Sequence, residues 1–180
     1  MQTISVTQVL STYQDFSSIK SAVLEYAAWR GKEVHRICGS IALGLPYFSE
    51  IPSSCAGYVL SFQQWFERSV ECVHLVERQL SDEVFGFTGT PDLIVTMKGE
   101  SALTLVDLKT PTLLQRVWQG QLAAYRHLAR KNGYPVERVF SLRLDRDGKL
   151  PKVKEYQDDG RDLAAFMAAL TAHRYFRQAA

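Results

Sequence analysis

Cysteine is scarce and scattered: Cys38, Cys55 and Cys72 are the only three, and no two form a C-x-x-C pair. An odd, isolated set argues against a disulfide framework, a zinc site or a four-cysteine iron–sulfur cluster. Long apolar runs are missing as well, so no segment reads as a membrane span. The opening MQTISVTQVLSTYQ lacks the basic flank and apolar block of a secretory signal, which leaves the cytosol as the expected compartment. No internal repeat, low-complexity tract or Pro/Gly/Ser-rich linker divides the chain, so residues 1–180 are expected to fold as one domain.

What is present is unevenly distributed. The net charge is only +2, yet residues 110–154 carry ten Lys/Arg against three acids, a local +7 that leaves −5 for the remainder. Such a division suits a protein that holds a polyanion with one part and cations with another, although a solvated, charge-laced surface has the same composition.

Periodicity divides the chain into blocks. Helical spacing runs from Asp15 to Leu45, interrupted near Gly31, and again over SSCAGYVLSFQQWFERSVE, where Ser53 or Ser54 is the expected cap. From Val73 the period shortens to two: VHLVERQL, VFGFTGTPDLIVTM and ALTLVDLKT read as strands. A helix follows over residues 112–133, stopped by Gly133 and Pro135. Then come a strand, an Asp-Gly turn with an extended return, and a closing amphipathic helix over residues 161–176. This order predicts an α/β fold: a mixed central sheet flanked by helices, with a helical amino-terminal third. Trp29, Trp65 and Trp118 are expected to pack its core.

The central hairpin places charge where a core prefers Val and Leu. In GTPDLIVTMKGESALTLVDLKT, a two-residue turn at Gly99-Glu100 pairs Thr96 with Leu103, Ile94 with Leu105 and Asp92 with Asp107. A four-residue loop, Lys98 to Ser101, gives the same register. Alternation then puts Asp92, Asp107 and Lys109 on one face, with the two carboxylates opposed. Facing acids repel, and one lysine cannot neutralise both, so a hard divalent cation is the natural third party. The competing reading is a buried Asp107–Lys109 salt bridge with Asp92 a mere turn residue after Pro91.

These residues resemble the PD-(D/E)xK nuclease superfamily, and within it the RecB-like, phage-type exonuclease branch. Pro91-Asp92 and Asp107-Leu108-Lys109 match its two-part motif, with Asp at the variable position. GKEVHRIC looks like the branch's helical histidine motif, QGQLAAY like its Q-x-x-x-Y helix, and SVTQVLS like the start of several phage and organellar relatives. The likeness covers about residues 3–126. It implies a restriction-endonuclease-like core and a deoxyribonuclease using Mg2+ or Mn2+ on DNA ends or single strands, in recombination or repair. An endonuclease of the same fold, or a nucleic-acid-binding module without turnover, is the alternative.

The resemblance also implies roles. Asp92, Asp107, His35 and the Leu108 carbonyl would hold the metal, with Glu77 a further candidate because relatives often carry a glutamate upstream of the hairpin. His35 favours manganese over magnesium. Gly31 and Gly39, one turn either side of His35, leave its helix face bare for close approach. Lys109 would act beside the scissile phosphate. Gln121 would contact Lys109, a nucleotide or a water, and Tyr125 a base or a phosphate. DNA is the implied partner, with a recombination protein or further copies of the chain as additional ones; the host cytoplasm is the implied setting.

Overall fold

The computed structural model describes residues 3–46, 50–111, 114–157 and 159–177. In chain order the elements are β1 (Ile4–Ser5), α1 (Val6–Ser11), α2 (Ser21–Ala42), α3 (Ser53–Ser69), β2 (Val70–Val76), β3 (Leu80–Asp82), β4 (Phe87–Gly89), β5 (Leu93–Met97), β6 (Leu103–Lys109), α4 (Val117–Lys131), β7 (Val136–Arg143), β8 (Lys152–Glu155) and α5 (Asp159–Arg177). A five-stranded mixed sheet has the order β2-β5-β6-β7-β8, and only its β6–β7 pair is parallel. The expected α/β architecture is present, and it is a restriction-endonuclease-like fold.

Both faces of this sheet are covered, which is why its central strands are almost continuously apolar. Ile94, Leu105 and Val139 face a core that includes Leu122, Tyr125 and Leu128 of α4 and Phe166 of α5. Leu93, Val95, Val106, Leu108 and Leu142 face the opposite core, with Val34 and Cys38 of α2 and Phe62 and Trp65 of α3. Strand β8 lies at the sheet's edge, where exposed Lys152 and Lys154 discourage pairing with another chain.

The hairpin register is the one expected, with Ile94 opposite Leu105 and Thr96 opposite Leu103. Its turn differs from the two-residue form: Glu100 N–H donates to the Met97 carbonyl, so positive-φ Gly99 is the third residue of a Met97–Glu100 turn. The longer loop preserves the same parity, and parity alone sets which side chains share a face.

Several local expectations are corrected. Helix α2 runs unbroken through Gly31, which lies beside Thr110 just past the end of β6: a Cβ there would stand 3.7 Å from Thr110 Oγ1, an ordinary contact. Pro52, not a serine, precedes α3, and no side chain caps it. The segment 84–97 is not one strand. It breaks at Thr90–Asp92, and β4 leaves to join β1 and β3 in a second, three-stranded sheet that periodicity alone did not reveal. Leu114 lies before α4 and is exposed, while the helix start expected at residues 112–113 falls outside the described residues. Trp65 and Trp118 are buried, but Trp29 is 47% exposed. The basic stretch is partly committed to structure: Arg138 pairs with Glu100 and Glu155, and Arg130 donates to the Val136 carbonyl.

Candidate functional site

The charged residues of the hairpin gather at the end of the sheet where β5 begins and β6 finishes. Asp92 occupies the bend before β5, and its Oδ2 accepts the Leu108 N–H at 2.6 Å. That bond ties the carboxylate of one chain segment to the backbone of its neighbour. The Leu108 side chain meanwhile packs in the α2–α3 core. From α2, His35 Nδ1 reaches to 3.2 Å from Asp92 Oδ1. Gly39, one turn on from His35, permits this approach, since a Cβ there would stand 3.3 Å from Val76 Cγ1 and 3.7 Å from the Glu77 carboxyl.

Glu77 arrives by a different route. Strand β2 carries a register shift between Val73 and Leu75 and ends at Val76. Glu77 then adopts φ 41°, the only positive φ at a non-glycine position among the described residues, and its N–H donates to the Asp92 carbonyl at 2.9 Å. Left-handed backbone at a residue with a side chain costs about 1–2 kcal/mol, and such strain collects at functional sites. The result is a trio in which His35, Glu77 and Asp92 each offer a ligand atom within 4.8 Å of the other two.

Asp107 is buried beside this trio, and its carboxylate is engaged by Lys109. The ammonium Nζ lies 2.6 Å from Asp107 Oδ2, an ion pair whose alignment leaves that oxygen without a formed hydrogen bond. Lys109 donates instead to Gln121 Oε1 at 3.0 Å, and Gln121 Nε2 donates to the Tyr125 hydroxyl at 3.1 Å. Gln121 and Tyr125 are one turn apart on α4, so their side chains line one face of it. The Tyr125 ring is 4% exposed and packs against Gly89, so its link to the site runs through Gln121. Trp118, not singled out by sequence as a site residue, places its ring 5.3 Å from Lys109 Nζ. Its i−3 spacing from Gln121 on the helix is the signal that could have found it.

The electrostatics follow from burial and opposed charge. Burial alone would lower the pKa of His35, but the charge and hydrogen bond of Asp92 outweigh it and raise the imidazole to about 9. For Asp92, burial pushes upward and is overcome chiefly by His35, so its carboxyl sits below the usual range. Asp107 goes the other way: burial outweighs Lys109 and, with the repulsion of Asp92, raises it to about 6. Burial also raises Glu77, with Asp92 adding to the effect. The pocket thus concentrates negative charge that one histidine and one lysine only partly offset.

The sequence matches no protein-family model and no curated protein. Solved structures do match. A proposed exonuclease from Eubacterium rectale superposes with a TM-score of 0.55 at 13% identity, over 98% of this chain and 80% of its own. An alkaline exonuclease from Laribacter hongkongensis gives a TM-score of 0.45 at 13% identity, over 97% of this chain and 90% of its own. At these identities the likeness to the first is one of fold, and it agrees with the superfamily resemblance read from the motifs.

Proposed function

We propose that the chain is a divalent-metal-dependent deoxyribonuclease that hydrolyses phosphodiester bonds, acting as an exonuclease on DNA ends or single strands. One observation carries this reading: three ligand-bearing side chains from three separate stretches of the chain converge within 4.8 Å beside a buried acid–lysine pair. The description of the Eubacterium rectale protein as a proposed exonuclease supports a nuclease on this fold. Processing of DNA in recombination or repair, in a phage or prophage setting, is the use we infer for it.

The donor set suits a hard cation. Two ligands each about 2.1 Å from one ion at right angles stand about 3 Å apart, so His35 and Asp92 at 3.2 Å match a shared ion as well as a shared proton. Asp92, His35 and Glu77 would hold it, with Asp107 and the Leu108 carbonyl on its β6 side. Histidine among the donors suits Mn2+ better than Mg2+. A divalent ion there supplies an acidified water and offsets charge on the phosphate.

The chain's own residues supply the rest. An ammonium has three N–H donors. In Lys109 one goes to Gln121, one is directed at Asp107, and the third is left for a phosphate oxygen or the attacking water. Gln121, held by the Tyr125 hydroxyl, fixes where that third donor points. Preorganised charge of this kind needs no rearrangement as negative charge builds on the phosphate.

End-labelled single- and double-stranded DNA, incubated with Mg2+ or Mn2+, tests the reading. Wild type should hydrolyse at least one substrate, and Asp107→Ala should lose hydrolysis while still binding DNA in Ca2+. Circular single-stranded DNA should survive; its cleavage would move the assignment to an endonuclease. Wild-type inactivity with both metals would overturn the nuclease reading in favour of a DNA-binding module.

A further inference from the structure

The first half of α2 turns an uncovered apolar face outward: Val23, Tyr26 and Trp29 are 56%, 50% and 47% exposed. Tyr26 and Trp29 lie one turn apart, their ring centroids separated by 5.6 Å and their planes by 30°. The next residue, Arg30, holds its guanidinium 5.8 Å from the Tyr26 ring centre and 5.2 Å from that of Tyr58. Its Nε is buried with no hydrogen-bond partner, and no acid pairs with Arg30 among the described residues. The buried Nε cannot be reached from outside, but the terminal nitrogens of this ring-clamped guanidinium have no acid partner among the described residues and are the donors an oxyanion would take.

This cation shares its helix with one metal-ligand candidate, His35. Gly31 follows it and abuts Thr110 beyond the end of β6, and His35 stands five residues on, about 7–8 Å along the helix axis. Nine residues are two and a half turns, so Tyr26 lies on the far side of α2 from His35 and about 13–14 Å along its axis. A strand that has one phosphate at the His35–Asp92 donors meets Arg30 and the two rings only after passing around the helix. Bases in a duplex have their faces occupied by stacking; those of a single strand do not. A two-fold contact with a second copy is disfavoured, because it would set two unpaired guanidinium faces together.

We propose that Arg30, Tyr26 and Trp29 form a subsite for single-stranded DNA, in which Arg30 takes a backbone phosphate and the two rings stack on bases several nucleotides away from the segment to be cut. The proposal rests on the nuclease reading for its substrate, but its test does not depend on turnover. Fluorescence anisotropy of labelled oligothymidine in Ca2+, with a blunt duplex alongside, compares wild type with a Tyr26→Ala/Trp29→Ala double variant. Tyr26 and Trp29 are exposed on the helix surface and Arg30 is half-buried against Tyr58, so thermal melting should report a folded double variant and show whether Arg30→Ala is folded as well. The double variant should lose roughly 10- to 100-fold in oligothymidine affinity and far less for the duplex. Arg30→Ala should reduce the salt slope by about one phosphate contact. Oligothymidine should quench tryptophan emission in wild type, and Trp29→Phe should abolish that quenching, since Trp65 and Trp118 are buried. Unchanged oligothymidine affinity in the double variant would overturn the subsite and leave the nuclease reading standing. So would a concentration-dependent dimer that these substitutions disperse. Ring-dependent binding by a wild type that cleaves nothing would support the subsite and sink the nuclease reading.

Discussion

Gln121 Oε1 accepts a hydrogen bond from Lys109 Nζ at 3.0 Å, joining the outer helix α4 to the last residue of a central strand. The bond gives the lysine a fixed direction that its flexible stem could not keep alone. Replacing Gln121 by Leu keeps the bulk and removes the acceptor. Cleavage should fall about 10- to 100-fold in kcat with KM little changed, the range seen when a residue orienting a site group is lost. Steady-state kinetics on a labelled strand read the split; a rise in KM alone would assign Gln121 to substrate binding instead.

Gly89 permits the contact behind Tyr125. A Cβ at this position would lie 2.7 Å from Tyr125 Cε1 and 2.8 Å from Leu128 Cδ1, and both side chains are buried. Gly89→Ala should therefore cost about 1–3 kcal/mol in urea unfolding, as overpacked cores do. Activity should also drop, because Tyr125 positions Gln121. A variant of unchanged stability would show that β4 can move away from α4 freely.

Glu77 combines a strained backbone with a ligand-bearing side chain. Glu77→Gly and Glu77→Ala both remove the carboxylate, but only glycine relieves the left-handed conformation. The glycine variant should be the more stable of the two by about 1 kcal/mol, and both should bind metal more weakly. Chemical denaturation and calorimetric metal titration separate the two effects.

Metal itself should stabilise the fold. A ligand at 100 times its Kd adds about 2.7 kcal/mol when it binds only the native state. Mn2+ should raise the melting temperature, chelator should reverse the rise, and Asp92→Asn should abolish it. An equal rise in that variant would place the bound ion elsewhere.

Asp82 gives a pH signature away from this site. Its carboxylate is buried, accepts the Phe85 N–H at 2.9 Å and lies 2.6 Å from His127 Nε2. Burial pushes its pKa up, but the backbone and His127 hydrogen bonds prevail and hold it below the usual range. The folded chain therefore binds fewer protons here than the unfolded one. This contribution is complete above the unfolded carboxylate pKa of about 4 and is lost as pH falls through the folded value. Melting temperatures of wild type and Asp82→Asn should diverge near neutrality and converge in acid; a constant gap would disprove the linkage.

The hairpin was legible from local pattern. Alternation and a loop of even length fix which residues oppose one another, and both are local properties, so Ile94 opposite Leu105 followed whichever even loop closed the turn. The helices α3 and α4 were legible for the same reason, since their apolar spacing repeats within a few residues. Only the packing of whole elements made His35 reach Asp92, 57 residues along the chain, made Glu77 turn left-handed beside them, and gave Lys109 the Gln121 acceptor rather than solvent. It also decided which tryptophan stays exposed and that β4 leaves the hairpin's strand for another sheet. Those outcomes depend on how whole elements dock, where many weak contacts distant in sequence are summed, and no local period records that sum.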